Sequence, residues 1–374
     1  MKNFQLLGVK SEFVRRLYEL DIINPTEIQQ KVIPLLLERD SDLVGQAQTG
    51  TGKTVAFGLP LLHKIDANKA CVQALILCPT RELGQQVAKQ LFRFSKYSDK
   101  IFIESVYGGS QIDKQIFNLK RTTHIVVATP GRLIDLVRRK AVDLTQIRIV
   151  VLDEADEMLS MGFKKELHEI LHFIPHLQAK WLFSATMPHG IKQIINEHMS
   201  VDSHRITISC NNLVNAKIDH KFVLCDDIEK FKILLQFLSS VKEQRGIIFC
   251  RTRKQTQNLA SRLIAKNISA DAIHGDLLQK ERDKVMRAFK NEILSVIVAT
   301  DIAARGIDVP DLTYVVHYQL PDQNEYYIHR SGRTARAGNK GVSLVLANSY
   351  DMRKVRDYEK KLRISFSKVS ILKQ

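Results

Sequence analysis

The chain has 374 residues, 44% of them hydrophobic and 26% charged, with 17 Gly and 9 Pro. This composition excludes collagen-like, coiled-coil and mostly disordered chains and predicts two folded domains, three at most. Fifty-six Lys and Arg oppose 40 Asp and Glu, a formal excess of +16 that favours a polyanionic partner such as nucleic acid or the ribosome.

MKNFQLLGVKSEF lacks the apolar core and cleavage site of a signal peptide, and no later stretch approaches the roughly 18 apolar residues of a membrane span. A cytoplasmic protein without membrane contact is expected. Apolar runs of strand length then recur: ALILC ending at Cys78, FIESVYG, HIVVAT, RIVVLD ending at Asp153 and WLFSAT ending at Thr186. Amphipathic stretches such as ELGQQVAKQLFRF and GRLIDLVRRK separate them. Such alternation predicts a parallel sheet with helices on both faces. After residue 217 the pattern restarts with HKFVLC, GIIFC, ISADAIHG, SVIVATD, TYVVHY and GVSLVLA. Two α/β domains are therefore predicted, 1–208 and 217–374, with the short polar linker 209–216 keeping them close enough to share a cleft. Cys71, Cys78, Cys210, Cys225 and Cys250 never form a C-x-x-C pair and read as reduced core residues.

In open parallel sheets ligands sit outside the carboxyl ends of the strands, and the unusual residues of this chain lie just past predicted strand ends. Ala47-Gln48-Thr49-Gly50-Thr51-Gly52-Lys53-Thr54 has the spacing of a phosphate-binding loop, with Ala47 where a first glycine is more usual. Small residues there let backbone N–H groups wrap phosphates, Lys53 reaches the outer phosphates and Thr54 offers a hydroxyl to Mg²⁺. Alone, the string also suits an ordinary Gly/Thr loop. RIVVLD ends in Asp153, followed by Glu154, Ala155 and Asp156. Asp153 is suited to holding Mg²⁺ through water and Glu154 to deprotonating the attacking water; an acidic helix N-terminus is the alternative. In His329-Arg330-Ser331-Gly332-Arg333-Thr334-Ala335-Arg336, Arg333 and Arg336 are candidate arginine fingers, or else part of a solvated basic face.

Together these residues resemble the DEAD-box ATP-dependent RNA helicase family over essentially the whole chain. Asp153-Glu-Ala-Asp156 and the phosphate loop are joined, in the family's order, by Pro25-Thr-Glu-Ile-Gln29, Pro79-Thr-Arg-Glu-Leu83, Gly108-Gly109, Thr129-Pro-Gly-Arg132 and Ser184-Ala-Thr186. His274-Gly-Asp276 with Gln279 and Arg282, the run Ala299 to Asp308 and the arginine motif complete the set. The resemblance implies two RecA-like domains that bind ATP, Mg²⁺ and RNA, close on them, strain a short duplex, hydrolyse ATP and reopen.

It implies further that Gln29 reads the adenine edge, that Phe4 is the family's isolated aromatic, and that Ile22, Thr26, Gly306 and Asp308 join the nucleotide set, Asp308 at the ribose. Asp156, Ser184, Thr186 and His329 would couple nucleotide state to closure. RNA contacts would come from Thr80, Arg81, Gly109, Thr129, Arg132, Gln279, Arg282 and Thr300, mostly to the backbone, giving sequence-independent binding with RNA chosen through its 2′-hydroxyls. A monomer is expected, with ribosome-assembly or RNA-decay proteins as candidate partners. Asp21 and Ile22 stand where the family usually has a Gly and an aromatic, so a changed adenine stacking surface and weaker ATP affinity are expected. Ser331 and Ala335 replace an Ile or Val and a Gly, with little effect expected, and Gln319 replaces an Asp. The rival functions are a nucleotide-dependent RNA clamp and a processive DNA translocase.

Overall fold

A computed structural model describes residues 3–48, 50–208, 217–242, 244–304, 312–335 and 339–369. The linker expected at 209–216, and with it Cys210, lies outside the described residues. The chain divides into two compact units, Met1–Ile208 and Ser209–Gln374.

The first unit is built on seven parallel strands: β1 (Leu43–Gln46), β2 (Ala74–Leu77), β3 (Ile103–Val106), β4 (Ile125–Ala128), β5 (Ile149–Leu152), β6 (Ala179–Ser184) and β7 (His204–Thr207), in the order β3-β4-β2-β5-β6-β1-β7. The central strands ALIL, IVVA and IVVL are buried throughout, because helices cover both sheet faces. Successive side chains divide between two cores. Ile76, Val127 and Val151 pack with helices Ser11–Glu19, Glu27–Glu38, Lys53–Lys64 and Arg81–Phe94. Leu75, Val126 and Val150 pack with helices Pro130–Arg138, Lys164–His172 and His189–His198. Edge strand β3 (IESV) is only half-buried over most of its length, as one covered side requires.

The second unit repeats this plan with β8 (Ile218–Leu224), β9 (Arg245–Phe249), β10 (Ala270–Ile273), β11 (Val296–Ala299), β12 (Leu312–His317), β13 (Gly341–Ala347) and β14 (Ser367–Lys368). Their order, β10-β11-β9-β12-β13-β8-β14, is that of the first sheet with every number raised by seven. Helices Lys230–Ser240 and Arg253–Ile264 cover one face. Helices Gln279–Lys290, Asn324–Ser331 and Asp351–Leu362 cover the other.

Backbone bonds continue past the strand ends of the first sheet. Ala47 N–H donates to Ser184 (3.0 Å), Asp153 to Leu77 (3.0 Å), Cys78 to Ala128 (2.9 Å) and Thr129 to Val106 (3.0 Å). The loops leaving the carboxyl edge thus start from fixed positions. Cys78, Cys225 and Cys250 are buried free thiols and Cys71 is a half-buried one. No helix among the described residues is long and apolar enough to cross a membrane.

Candidate active site

After β1 the chain turns through Gly50 and Gly52, both in the left-handed region at φ 81° and 87°. The helix that follows starts at Lys53, so its first backbone N–H groups face the loop, as anion binding at a helix N-terminus requires. Gly52 has a second constraint: a Cβ there would lie 2.2 Å from Gln29 Nε2. Gln29 is buried and fastens two elements at once. Its Oε1 accepts from Thr26 N–H (2.9 Å), capping its own helix, and its Nε2 donates to the Gly52 carbonyl (3.0 Å). Thr26 Oγ1 donates to the Thr51 carbonyl (2.8 Å), and Thr51 Oγ1 donates to the Gln48 carbonyl (2.7 Å). A mere helix-surface role for Gln29 is excluded by its 2% exposure. Thr49 lies outside the described residues.

Lys53 is buried and donates to the Ala47 carbonyl (2.9 Å), so its ammonium is held over the loop. β5 delivers Asp153 and Glu154 to the same edge. Burial pushes the Asp153 carboxyl from an ordinary 3.8 up to about 7, with Lys53 opposing and Glu154 and Asp156 adding to the rise. Glu154 sits in a left-handed conformation, φ 50°, at the start of the helix Ala155–Ser160. Its N–H donates to Asp153 Oδ1 (3.0 Å), while its Oε2 is buried without a hydrogen-bond partner among the described residues. An orphaned carboxylate oxygen beside a carboxyl already raised by burial is costly unless a cation or water meets it. Hydroxyl and carboxylate oxygens are the donor set that Mg²⁺ prefers, so Thr54 and Asp153 fit the ion.

Asp156 turns to β6. Its Oδ2 accepts from Thr186 N–H (2.9 Å) and Thr186 Oγ1 (2.7 Å), and Ser184 Oγ donates to the Thr186 carbonyl (2.7 Å). Three of the four expected coupling residues therefore meet in one unit; His329, buried, belongs to the other.

The expected RNA residues of the first unit gather at the neighbouring strands β2, β4 and β3. Thr80 caps the helix Arg81–Phe94 by accepting from Leu83 N–H (3.3 Å). Arg81 lies over the Tyr107 ring, 4.5 Å from its centroid. Gly109 adopts φ 77°, Thr129 precedes Pro130 at the start of the next helix, and both terminal nitrogens of Arg132 donate to the Ser110 carbonyl (3.2 and 3.1 Å). In the second unit, Gln279 and Arg282 follow β10 and Thr300 follows β11. Gln279 Nε2 donates to Asp283 Oδ1 (2.8 Å) and Arg282 to the Ala303 carbonyl (2.6 Å). Arg333 is buried; Arg336, Gly306 and Asp308 lie outside the described residues.

Residues 26–194 match the DEAD/DEAH box helicase family model and residues 229–338 the helicase conserved C-terminal domain. The ATP-dependent RNA helicase CshA of Limosilactobacillus reuteri is 41% identical over 97% of this chain, which spans 72% of that protein. CshA of Streptococcus pneumoniae is 43% identical over 88% of the chain, covering 63% of the relative. The chain belongs to the DEAD-box helicase family. Among solved structures, Saccharomyces cerevisiae Dbp5 bound to RNA and ADP BeF3 is 30% identical with a TM-score of 0.92, covering 99% of this chain and 96% of that one. Mss116p bound to ssRNA and AMP-PNP gives 28% and 0.89, over 99% and 80%. These likenesses give this DEAD-box chain two RecA-like domains.

Several departures from the family pattern acquire physical reasons. Asp21 and Ala335, both where the DEAD-box family usually has Gly, have left-handed backbones, φ 56° and 57°. That region suits Gly, is tolerated by Asp and is strained for Ala. Ile22 packs half-buried against the first core. Gln319 keeps an acceptor oxygen without a charge: its Oε1 accepts from Arg251 N–H (3.0 Å).

Phe4, expected as the family's isolated aromatic, is 2% exposed within the core that also holds Ile28, Val32 and Leu36 of helix Glu27–Glu38. Sequence reasoning missed Arg330, which is nearly fully buried. It pairs with Asp301 (2.5 and 2.7 Å), donates to the Gln319 carbonyl (2.7 Å) and lies over the Phe249 ring. Its signal was its place inside the arginine motif. Ser331 was expected to matter little, yet its hydroxyl joins a buried network with Ser343 (3.0 Å) and His317 (3.4 Å), which Tyr327 and His220 extend. Burial holds His317 well below the ordinary histidine range and His220 down to about 4.

Proposed function

We propose that the chain is an RNA-stimulated ATPase that remodels RNA by unwinding short duplexes locally, with domains 1–208 and 217–374 joined through 209–216. The observation that carries this reading is the convergence of Lys53, Asp153 and the orphaned Glu154 Oε2 at the carboxyl edge of one sheet. The solved relatives with bound RNA and nucleotide support it. Backbone N–H groups of the phosphate loop and Lys53 would bind the phosphates, and Gln29 would bind adenine through the second hydrogen and lone pair of its amide. Thr54 and, through water, Asp153 would hold Mg²⁺, which would neutralise phosphate oxygens. Glu154 would take the proton of the attacking water, and the cation would favour the ionised form of Asp153 despite its burial. In this reading Arg333 and Arg336 stabilise transition-state charge once RNA has brought the two domains together, and His329 then joins the Asp156–Thr186 link.

Thr80, Arg81, Gly109, Thr129, Arg132, Gln279, Arg282 and Thr300 would hold the RNA strand by its backbone. A cytoplasmic monomer acting on structured RNA alongside ribosome-assembly or RNA-decay proteins is the corresponding biological setting.

The test is steady-state ATP hydrolysis with RNA, with DNA of the same sequence, and with fragments 1–208 and 217–374 apart and mixed. RNA alone should stimulate, and neither fragment should turn over by itself. Equal stimulation by DNA would favour a translocase; absent turnover with retained RNA binding would favour a clamp. A first fragment as fast as the whole chain with RNA would rule out closure.

A further inference from the structure

We propose that Tyr107 is a positioning residue for RNA, holding the Arg81 guanidinium in the plane in which it meets a phosphate; this rests on the reading of Arg81 as an RNA contact. Tyr107 is the first residue after β3 and directly precedes Gly108 and Gly109. Its half-buried ring lies under Arg81, with Cζ 4.5 Å from the centroid. Stacking engages the face of a guanidinium, whereas its hydrogen bonds are donated in the plane, so the two interactions do not compete. The ring is itself fixed. Gln85 Nε2 donates to its hydroxyl (2.7 Å). The backbone is held on both sides by Gln115, 5% exposed, whose Oε1 accepts from Tyr107 N–H (3.3 Å) and whose Nε2 donates to the Tyr107 carbonyl (3.0 Å). At the other end of the same loop, Arg132 grips the Ser110 carbonyl.

A buried amide spent on one residue's backbone, and a ring set beneath an arginine two strands away, have a common effect. Loop Tyr107–Ser110 and Arg81 become one rigid platform, and the arginine loses less conformational freedom when it binds.

The experiment is an RNA titration of ATP hydrolysis by the full chain at several salt concentrations, comparing wild type with Tyr107→Leu, Tyr107→Phe, Tyr107→Gln and Arg81→Ala. Tyr107→Leu should raise the half-saturating RNA concentration about fivefold while kcat at saturating RNA holds. The slope of log affinity against log salt should become shallower by about 0.7, the share of one single-strand phosphate. Tyr107→Phe keeps the ring and should stay within about twofold of wild type. Tyr107→Gln, suited to a half-exposed position, should reproduce the leucine result and guards against a folding artefact. Added to Arg81→Ala, the leucine change should do nothing further. If Arg81→Ala weakens RNA binding and Tyr107→Leu does not, the proposal is wrong and the RNA reading stands. A kcat loss with an unchanged salt slope would make Tyr107 merely structural and also overturns it. An Arg81→Ala variant that binds RNA normally ends both readings.

Discussion

The two sheets share one strand order, but the loops leaving them differ in kind. Past β1 come Gly50, Gly52 and the buried Lys53; past its counterpart β8 come Cys225, Asp226 and Asp227 without a glycine, and the buried Lys230 that starts the next helix is already paired with Asp227 (2.8 Å) and Asp351 (3.6 Å). Past β5 stand Asp153 and Glu154; past β12 stand Tyr318 and Gln319. The buried charges differ as well. In the first unit Asp153 is raised to about 7 and a Glu154 oxygen lacks a hydrogen-bond partner among the described residues, whereas in the second Arg330 is met by Asp301, the Gln319 carbonyl and the Phe249 ring. One scaffold thus serves two electrostatic strategies. Charges that await a ligand make a site, and charges satisfied by the protein hold a loop in place.

Glu154→Gln would break the first half of this contrast. Turnover should fall by about 10²–10⁴-fold with ATP still bound, because the proposed base is lost and Asp153 remains; single-turnover hydrolysis together with nucleotide binding checks it. In the second unit, Asp301→Ala leaves Arg330 buried without its carboxylate partner, at a cost of about 3–5 kcal/mol. Urea unfolding should show it as an early transition of that unit, with the first unit unmoved.

Asp153→Asn sharpens the comparison through pH. A carboxyl raised from 3.8 to about 7 in the fold binds more protons folded than unfolded between those values, so the wild type loses stability as pH rises through that window. The ligand-free asparagine variant escapes this loss. Its thermal stability relative to wild type should climb from pH 4 to pH 7 and then level off, and a constant difference would refute the burial argument. The smallest effect belongs to Ala335→Gly, which relieves a left-handed alanine and should add about 1 kcal/mol to the second unit, read as a shift in its urea midpoint.

The alternation of apolar runs and amphipathic stretches made both units legible, because a strand buried on two faces writes itself as consecutive apolar residues. ALILC, HIVVAT and RIVVLD each contain an observed strand. Strand β1 was not legible: LVGQ is four residues long with Gly45 and Gln46 at its end. Motif residues were legible because phosphate chemistry needs particular side chains close together in the chain. What escaped depends on partners far apart in sequence. Gln29 meets Gly52 across 23 residues, Arg330 meets Asp301 across 29, and Gln115 holds Tyr107 from the next helix.

The backbone bonds along the carboxyl edge of the first sheet carry a last consequence. Asp153 is tied to Leu77, Cys78 to Ala128, and Thr129 to Val106, the residue before Tyr107. Three strand spacings of about 4.8 Å each separate the carboxylate from the platform. The distance between the proposed hydrolysis centre and the proposed RNA platform is therefore a ruler made of peptide groups, insensitive to which side chains fill the sheet. Substitution can retune either end without recalibrating the gap, so the two chemistries are free to diverge separately.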